Sequence, residues 1–149
     1  MSWRTVKAFI ASVGLAVAAM GLAPIASAKL WVGNYNLNIQ GRNDFHTWVW
    51  AITPCSGDCV YVTFVPQPNA RAFFFDGPAQ LANGRYTLIV DDPYGLRCDN
   101  IYYGPTIPTH DVYAWDATTL VGSMNSTFDV NCGGAPGGTY TYPFTLTRL

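Results

Sequence analysis

Side chains that combine a ring with a polar atom are the residues of this sequence that most suggest ligand chemistry. They recur at alternate positions of two segments, as His46, Trp48 and Trp50 in one and Tyr113 and Trp115 in the other. Alternate positions of a β-strand share a face. If both faces point inward, the five rings converge on one volume and form a candidate ligand-binding site. The competing interpretation is that the same rings only fill the core.

The acidic, basic and nucleophilic residues do not support an enzyme. A serine nucleophile elbow needs G-x-S-x-G, which the residues around Ser123 do not supply. Asp44 lies near His46 and Asp111 follows His110, but no nucleophile is presented to either histidine. The cysteines are not spaced as in a zinc finger, and the aspartates form no calcium-binding loop. We therefore expect no enzymatic activity, no metal and no cofactor.

The first 28 residues have the features of a cleavable signal peptide. Arg4 and Lys7 precede an uncharged apolar stretch, and Ala26-Ser27-Ala28 is an A-x-A cleavage site. Cleavage leaves residues 29–149 as one domain, predicted to be secreted, extracellular or in the cell envelope, with no transmembrane segment. This part carries six Lys and Arg against nine Asp, a formal charge of −3. We expect no nucleic-acid partner, because such binding needs clustered basic residues.

All four cysteines lie after the predicted cleavage site. An even number of cysteines in a secreted chain is typical of disulfides, and four cysteines allow three pairings. Cys55 and Cys59 flank a tight turn between two strand-like segments, which brings their sulfurs together. We therefore predict the pairs Cys55–Cys59 and Cys98–Cys132.

Alternation of apolar and polar residues dominates the chain after residue 29. It is clearest in the first segment, Leu30–Gly41, and in the last, Tyr140–Leu149, each of which has one apolar face. Turn residues separate further strands, with turns predicted at 76–78 and 92–95 and a loop at 133–138. These strands are predicted near 45–53, 59–65, 70–76, 84–91, 97–103, 110–117 and 119–129. The pattern predicts an all-β antiparallel barrel of eight or nine strands, with a β-sandwich as the alternative.

Several segments resemble those of small secreted actinobacterial proteins of unassigned function. They are Thr53–Cys59, Trp115–Ser123, Cys132–Gly134 and Pro143–Arg148. Gly33-Asn-Tyr35 on the first strand, with Arg148 on the last, more distantly resembles the lipocalin-type barrels, which have Gly-x-Trp and an arginine there. These resemblances imply a secreted β-domain, with no particular ligand or activity.

Two functions are compatible with this pattern. The first is a non-catalytic binding module that holds a small apolar or aromatic ligand among the five candidate residues. The second is a protein–protein interaction or envelope-associated role, because segments 45–52 and 70–76 are apolar on both faces and would offer an aromatic patch to a partner. The sequence leaves the oligomeric state open.

Overall fold

The computed structural model describes residues 30, 32–42, 49–65, 75–99 and 104–149. Eight strands in this part of the chain form one closed antiparallel barrel. They are β1 (Gly33–Ile39), β2 (Val49–Pro54), β3 (Cys59–Val65), β4 (Asp76–Ala82), β5 (Arg85–Arg97), β6 (Thr106–Asp116), β7 (Val121–Val130) and β8 (Pro136–Arg148). A 3-10 turn, Cys132–Gly134, precedes β8. The predicted all-β barrel is confirmed, and the sandwich alternative is wrong.

The first and last strands close the barrel, as their apolar faces predicted. Each strand pairs with the next, and β8 pairs with β1 in a register that places Leu146 opposite Leu37 and Phe144 opposite Ile39. Leu37, Leu146 and Phe144 are buried together. Joining the two strands removes the unpaired backbone edges that an open sheet would expose.

The alternation seen in the sequence corresponds to inside and outside. In β2, Trp50 and Ile52 are buried whereas Val49 and Ala51 are half-buried. Along β6 the buried residues again occupy every second position, so neighbouring residues point to opposite sides of the sheet. Burial of one face against a shared core therefore sets the register of every strand.

The two ends of the barrel are held by different disulfides. The end that carries the Cys55–Cys59 bond, between β2 and β3, is called the lower end. The end at which β5 and β7 finish is called the upper end. At the upper end the Cys98–Cys132 bond joins the end of β5 to the turn before β8. Both predicted pairings are confirmed, and they indicate an oxidising environment.

The predicted turn at 92–95 is wrong, because β5 continues through it to Arg97. The pairing of β5 with β6 shifts between Asp92 and Leu96, which face Thr109 and Ile107. Extra residues on one strand form a β-bulge, and a bulge accommodates Pro93, which lacks a backbone N–H. Of the predicted strand 97–103, Arg97 is the last residue of β5, and residues 100–103 lie outside the described ranges.

Two other predicted connections are also strand. The predicted turn at 76–78 is the start of β4, where Pro78 pairs with Tyr61. Much of the predicted loop 133–138 belongs to β8, whose first residue, Pro136, pairs with Val130. Glycine suits this crowded start, since a Cβ on Gly137 would lie 2.3 Å from the carbonyl oxygen of Asp129. In these segments Gly and Pro mark close backbone approach rather than chain reversal. Residues 70–74 of the predicted strand 70–76 lie outside the described ranges.

Candidate functional site

Three of the five predicted ligand-binding residues meet inside the barrel. The ring centroids of Trp50 lie 5.3 Å from those of Tyr113 and 5.4 Å from those of Trp115. The strands β2 and β6 are not neighbours, so these contacts cross the interior. The other two predicted residues, His46 and Trp48, lie outside the described residues.

These three rings fill the lower and middle parts of the barrel. Trp50 also stacks on Phe64, and Trp115 on Tyr86, both at 5.4 Å between centroids. Trp50 and Trp115 are 0% exposed. A void large enough for water would leave part of an adjoining ring accessible, so no such void touches either indole. The rings face inward whether they bind a ligand or only fill the core. Their packing favours the second interpretation for this part of the barrel.

The lower end of the barrel is covered by the start of the described chain and by the last strand. Leu30 is buried, and its backbone N–H donates to the Tyr86 hydroxyl over 3.1 Å. The Arg148 guanidinium donates to the carbonyl oxygen of Val32 over 3.4 Å and lies 3.4 Å from where a Cβ on Gly33 would stand. The contact between Gly33 and Arg148 couples the first and last strands at this end.

Above the aromatic rings, the interior changes to a layer of charged and polar side chains centred on Arg42. Both terminal nitrogens of Arg42 donate to Oδ2 of Asp111 over 3.0 Å. Nη2 also donates to the Gly95 carbonyl over 3.0 Å and lies 3.3 Å from Oδ2 of Asp92. Ser126 donates to the second Asp111 oxygen over 2.6 Å. We call Arg42, Asp92, Asp111 and Ser126 the polar layer.

Burial shapes the ionisation of this layer. Burial alone would lower the pKa of the Arg42 guanidinium, but Tyr113 and the two aspartates reverse this and hold the pKa above its usual value. Burial raises the pKa of the Asp92 carboxyl, against the opposing effects of the Tyr94 backbone N–H and of Arg42. Burial likewise raises the pKa of Tyr113. Arg42 is therefore held in its charged form beside the two aspartates, with Tyr113 as a neutral neighbour.

The inner face of the sheet becomes apolar again beyond the polar layer. At the upper end, the described parts of β5 to β8 reach Arg97, Thr106, Val130 and Pro136. Alternation makes Phe128 and Val130 of β7 and Tyr140 of β8 inward-facing. Tyr140 pairs with Ser126 and its ring lies 5.0 Å from that of Phe128, whereas Val130 pairs with Pro136 nearer the end of the strand. Val130 is 50% exposed and Tyr140 is 42% exposed. We call the set on this extension the upper shelf: Leu96, Ile107, Phe128, Val130 and Tyr140.

The sequence did not indicate the polar layer or the upper shelf as sites. The alternation of side chains along a strand does place His110 and Asp111 on different faces, since neighbouring residues point to opposite sides. His110 lies outside and pairs with Asp91 across 2.7 Å, whereas Asp111 lies inside with Arg42. The signal that was present is a charged residue at an inward position of an otherwise apolar pattern. Arg42 carried no such signal because it follows the end of β1.

No family model, characterised protein or solved structure matches this chain. Among the residues that the structure describes, no helix is long and apolar enough to cross a membrane. Within the same residues, no three histidine, cysteine or acidic side chains are grouped so as to hold a metal ion.

Proposed function

We propose that this protein is a secreted, non-catalytic binding module whose upper shelf takes a small apolar or aromatic molecule. The observation that carries the proposal is that, among the described residues, inward-facing apolar side chains are exposed at the upper end. Val130 and Tyr140 face inward yet are 50% and 42% exposed, whereas Trp50 and Trp115 lower in the barrel are fully buried. Exposed apolar side chains grouped in this way often mark a surface that binds a ligand.

The polar layer supports this proposal from below. A buried ion pair is seldom the most stable filling for a core, because apolar residues of similar volume often do as well or better. Arg42 and Asp111 lie between two apolar regions, and Tyr142 packs beside them, 3.7 Å from where a Cβ on Gly41 would stand. The layer thus gives the shelf a rigid floor that separates a bound molecule from the packed indoles.

Secretion forms part of the same proposal. Two disulfides need an oxidising compartment, and Ala26-Ser27-Ala28 is where a signal peptidase would cut. Residues 1–29 lie outside the described ranges. Intact mass measurement of protein from the culture medium should give a chain that starts at Lys29. A chain that retains Met1 would refute cleavage.

The binding proposal is tested with a matched pair of variants on one strand. Val130 and Val121 both belong to β7 and are 50% and 53% exposed, but only Val130 faces inward. The neutral fluorescent probe N-phenyl-1-naphthylamine should bind the wild-type protein. Val130→Asp should weaken binding at least tenfold, because a carboxylate would be desolvated by the probe, and Val121→Asp should leave it unchanged.

Two results would contradict the binding proposal. One is a probe that binds equally well to both variants, and the other is a wild-type protein that takes up no neutral aromatic probe. The shelf is a protein–protein contact instead if the probe does not bind and the protein forms a dimer as its concentration is raised. In that case Val130→Asp should abolish the dimer.

A further inference from the structure

The outer face of β1 departs from what a β-strand normally contains. Its outward positions carry Asn34, Asn36 and Asn38, and Gln40 continues the series just beyond the strand. Asn is depleted in strands, where threonine and other β-branched residues are preferred. A run of residues that contradicts local propensity is expected where a protein has a function.

These carboxamides line a groove on the outside of the barrel. The groove has a volume of about 340 Å³ and is bordered by Asn36, Asn38 and Gln40 from the first strand and by Thr145 from β8. The backbone of β1 forms its floor, since Leu37 points inward. No charged side chain borders the groove in the part of the chain that the structure describes.

Neighbouring threonines hold one of the carboxamides in place. The Asn38 amino group donates to Oγ1 of Thr147 over 2.8 Å and reaches the Thr145 carbonyl oxygen at 3.4 Å. Both contacts use Nδ2, so Oδ1 of Asn38 remains an acceptor for another molecule. Threonine is stiff at χ1, which keeps this arrangement from changing freely.

We propose that this groove, the amide groove, binds a neutral oligosaccharide. Each carboxamide offers two donors and an acceptor, and each sugar hydroxyl both donates and accepts, so the two sets of groups match without charge. An uncharged groove gives no attraction to anionic or cationic ligands. The volume of about 340 Å³ limits the contact to a short stretch of such a chain.

The test uses replacement of asparagine by threonine, a better strand former. Neutral oligosaccharides such as maltohexaose and cellohexaose are titrated into ¹⁵N-labelled protein and followed by amide NMR. We expect saturable shifts in the side-chain amides of Asn36, Asn38 and Gln40. The double variant Asn36→Thr, Asn38→Thr should bind at least tenfold more weakly, whereas Asn125→Thr, on the outer face of β7, should bind as the wild type does.

Stability distinguishes this proposal from a structural role for the amides. Since threonine suits a strand better, the double variant should be at least as stable as the wild type while it loses the sugar. Absence of saturable shifts with both oligosaccharides would overturn the proposal, as would shifts that survive the double substitution. A preference for an anionic oligogalacturonate would also overturn it, because no charged side chain among the described residues borders the groove.

Discussion

The lower and upper halves of this barrel use aromatic residues in opposite ways. Below the polar layer, the rings of Trp50, Trp115 and Tyr86 pack against one another and have no exposed surface. Toward the upper end, Phe128 is buried, but Tyr140, which pairs with Ser126 of the layer and has its ring 5.0 Å from that of Phe128, is 42% exposed. The number of aromatic rings alone therefore does not locate a site, because aromatic residues stabilise the lower half and are exposed in the upper half.

The largest effect should come from the lower half. Trp115→Ala removes a fully buried indole that contacts Trp50, Tyr86 and Phe144, and should cost about 4–5 kcal/mol, within the range usual for such truncations. Tyr140→Ala removes a half-exposed ring and should cost less than about 1 kcal/mol. Urea unfolding of both variants measures the contrast. Similar losses would show that the two halves are not different.

The upper disulfide should contribute more stability than the lower one. The loop closed by Cys98–Cys132 has a sequence separation of 34, against 4 for Cys55–Cys59. On the chain-entropy model the two bonds contribute about 3.8 and about 2 kcal/mol. Paired Cys→Ser variants of each bond, compared by denaturant unfolding, test the order. A larger loss from the Cys55 and Cys59 pair would contradict it.

Removing the charge of Arg42 should destabilise the polar layer. Arg42→Met leaves Asp111 buried without its cation, although Ser126 still donates to it. We expect a loss of about 3 kcal/mol, at the low end for a broken buried pair. The triple variant Arg42→Met, Asp92→Leu, Asp111→Leu removes all three charges and should recover most of the loss. No recovery would mean that the layer is held by shape rather than by charge.

The smallest effect should be a pH dependence from Asp92. Burial raises the folded-state pKa of this carboxyl above the ordinary value of 3.8, so the folded protein binds the proton more tightly than the unfolded chain does. The stability of the wild type relative to Asp92→Asn should therefore decrease as pH rises from about 3.8 through the folded-state pKa, by about 1.4 kcal/mol per unit of elevation. A difference that increases with pH would contradict the burial argument.

Much of the fold could be predicted because each strand buries one face. Alternation alone places Tyr113 and Trp115 on one face of their strand, and the structure shows that this face and that of Trp50 point inward. The turn around Ser56 and Gly57 explains one disulfide. The bulge after Asp92 could not be predicted, since Pro and Gly there also suit a reversal of the chain.

The polar layer escaped prediction for a different reason. Asp111 is followed by alternating apolar positions, which indicates that it faces inward, but its partner Arg42 comes from beyond the end of β1. A contact between residues 69 positions apart depends on how the closed barrel brings its strands together.

Locating a bound ligand is the sharpest test of whether the upper shelf is the binding site. Protein labelled with 5-fluorotryptophan and 3-fluorotyrosine, with resonances assigned by single substitutions, would be titrated with N-phenyl-1-naphthylamine and followed by ¹⁹F NMR. If the upper shelf is the site, the Tyr140 resonance shifts in a saturable way while those of Trp50 and Trp115 remain unchanged. Saturable shifts of the two tryptophans with an unchanged Tyr140 would place the ligand in the lower half and contradict the account.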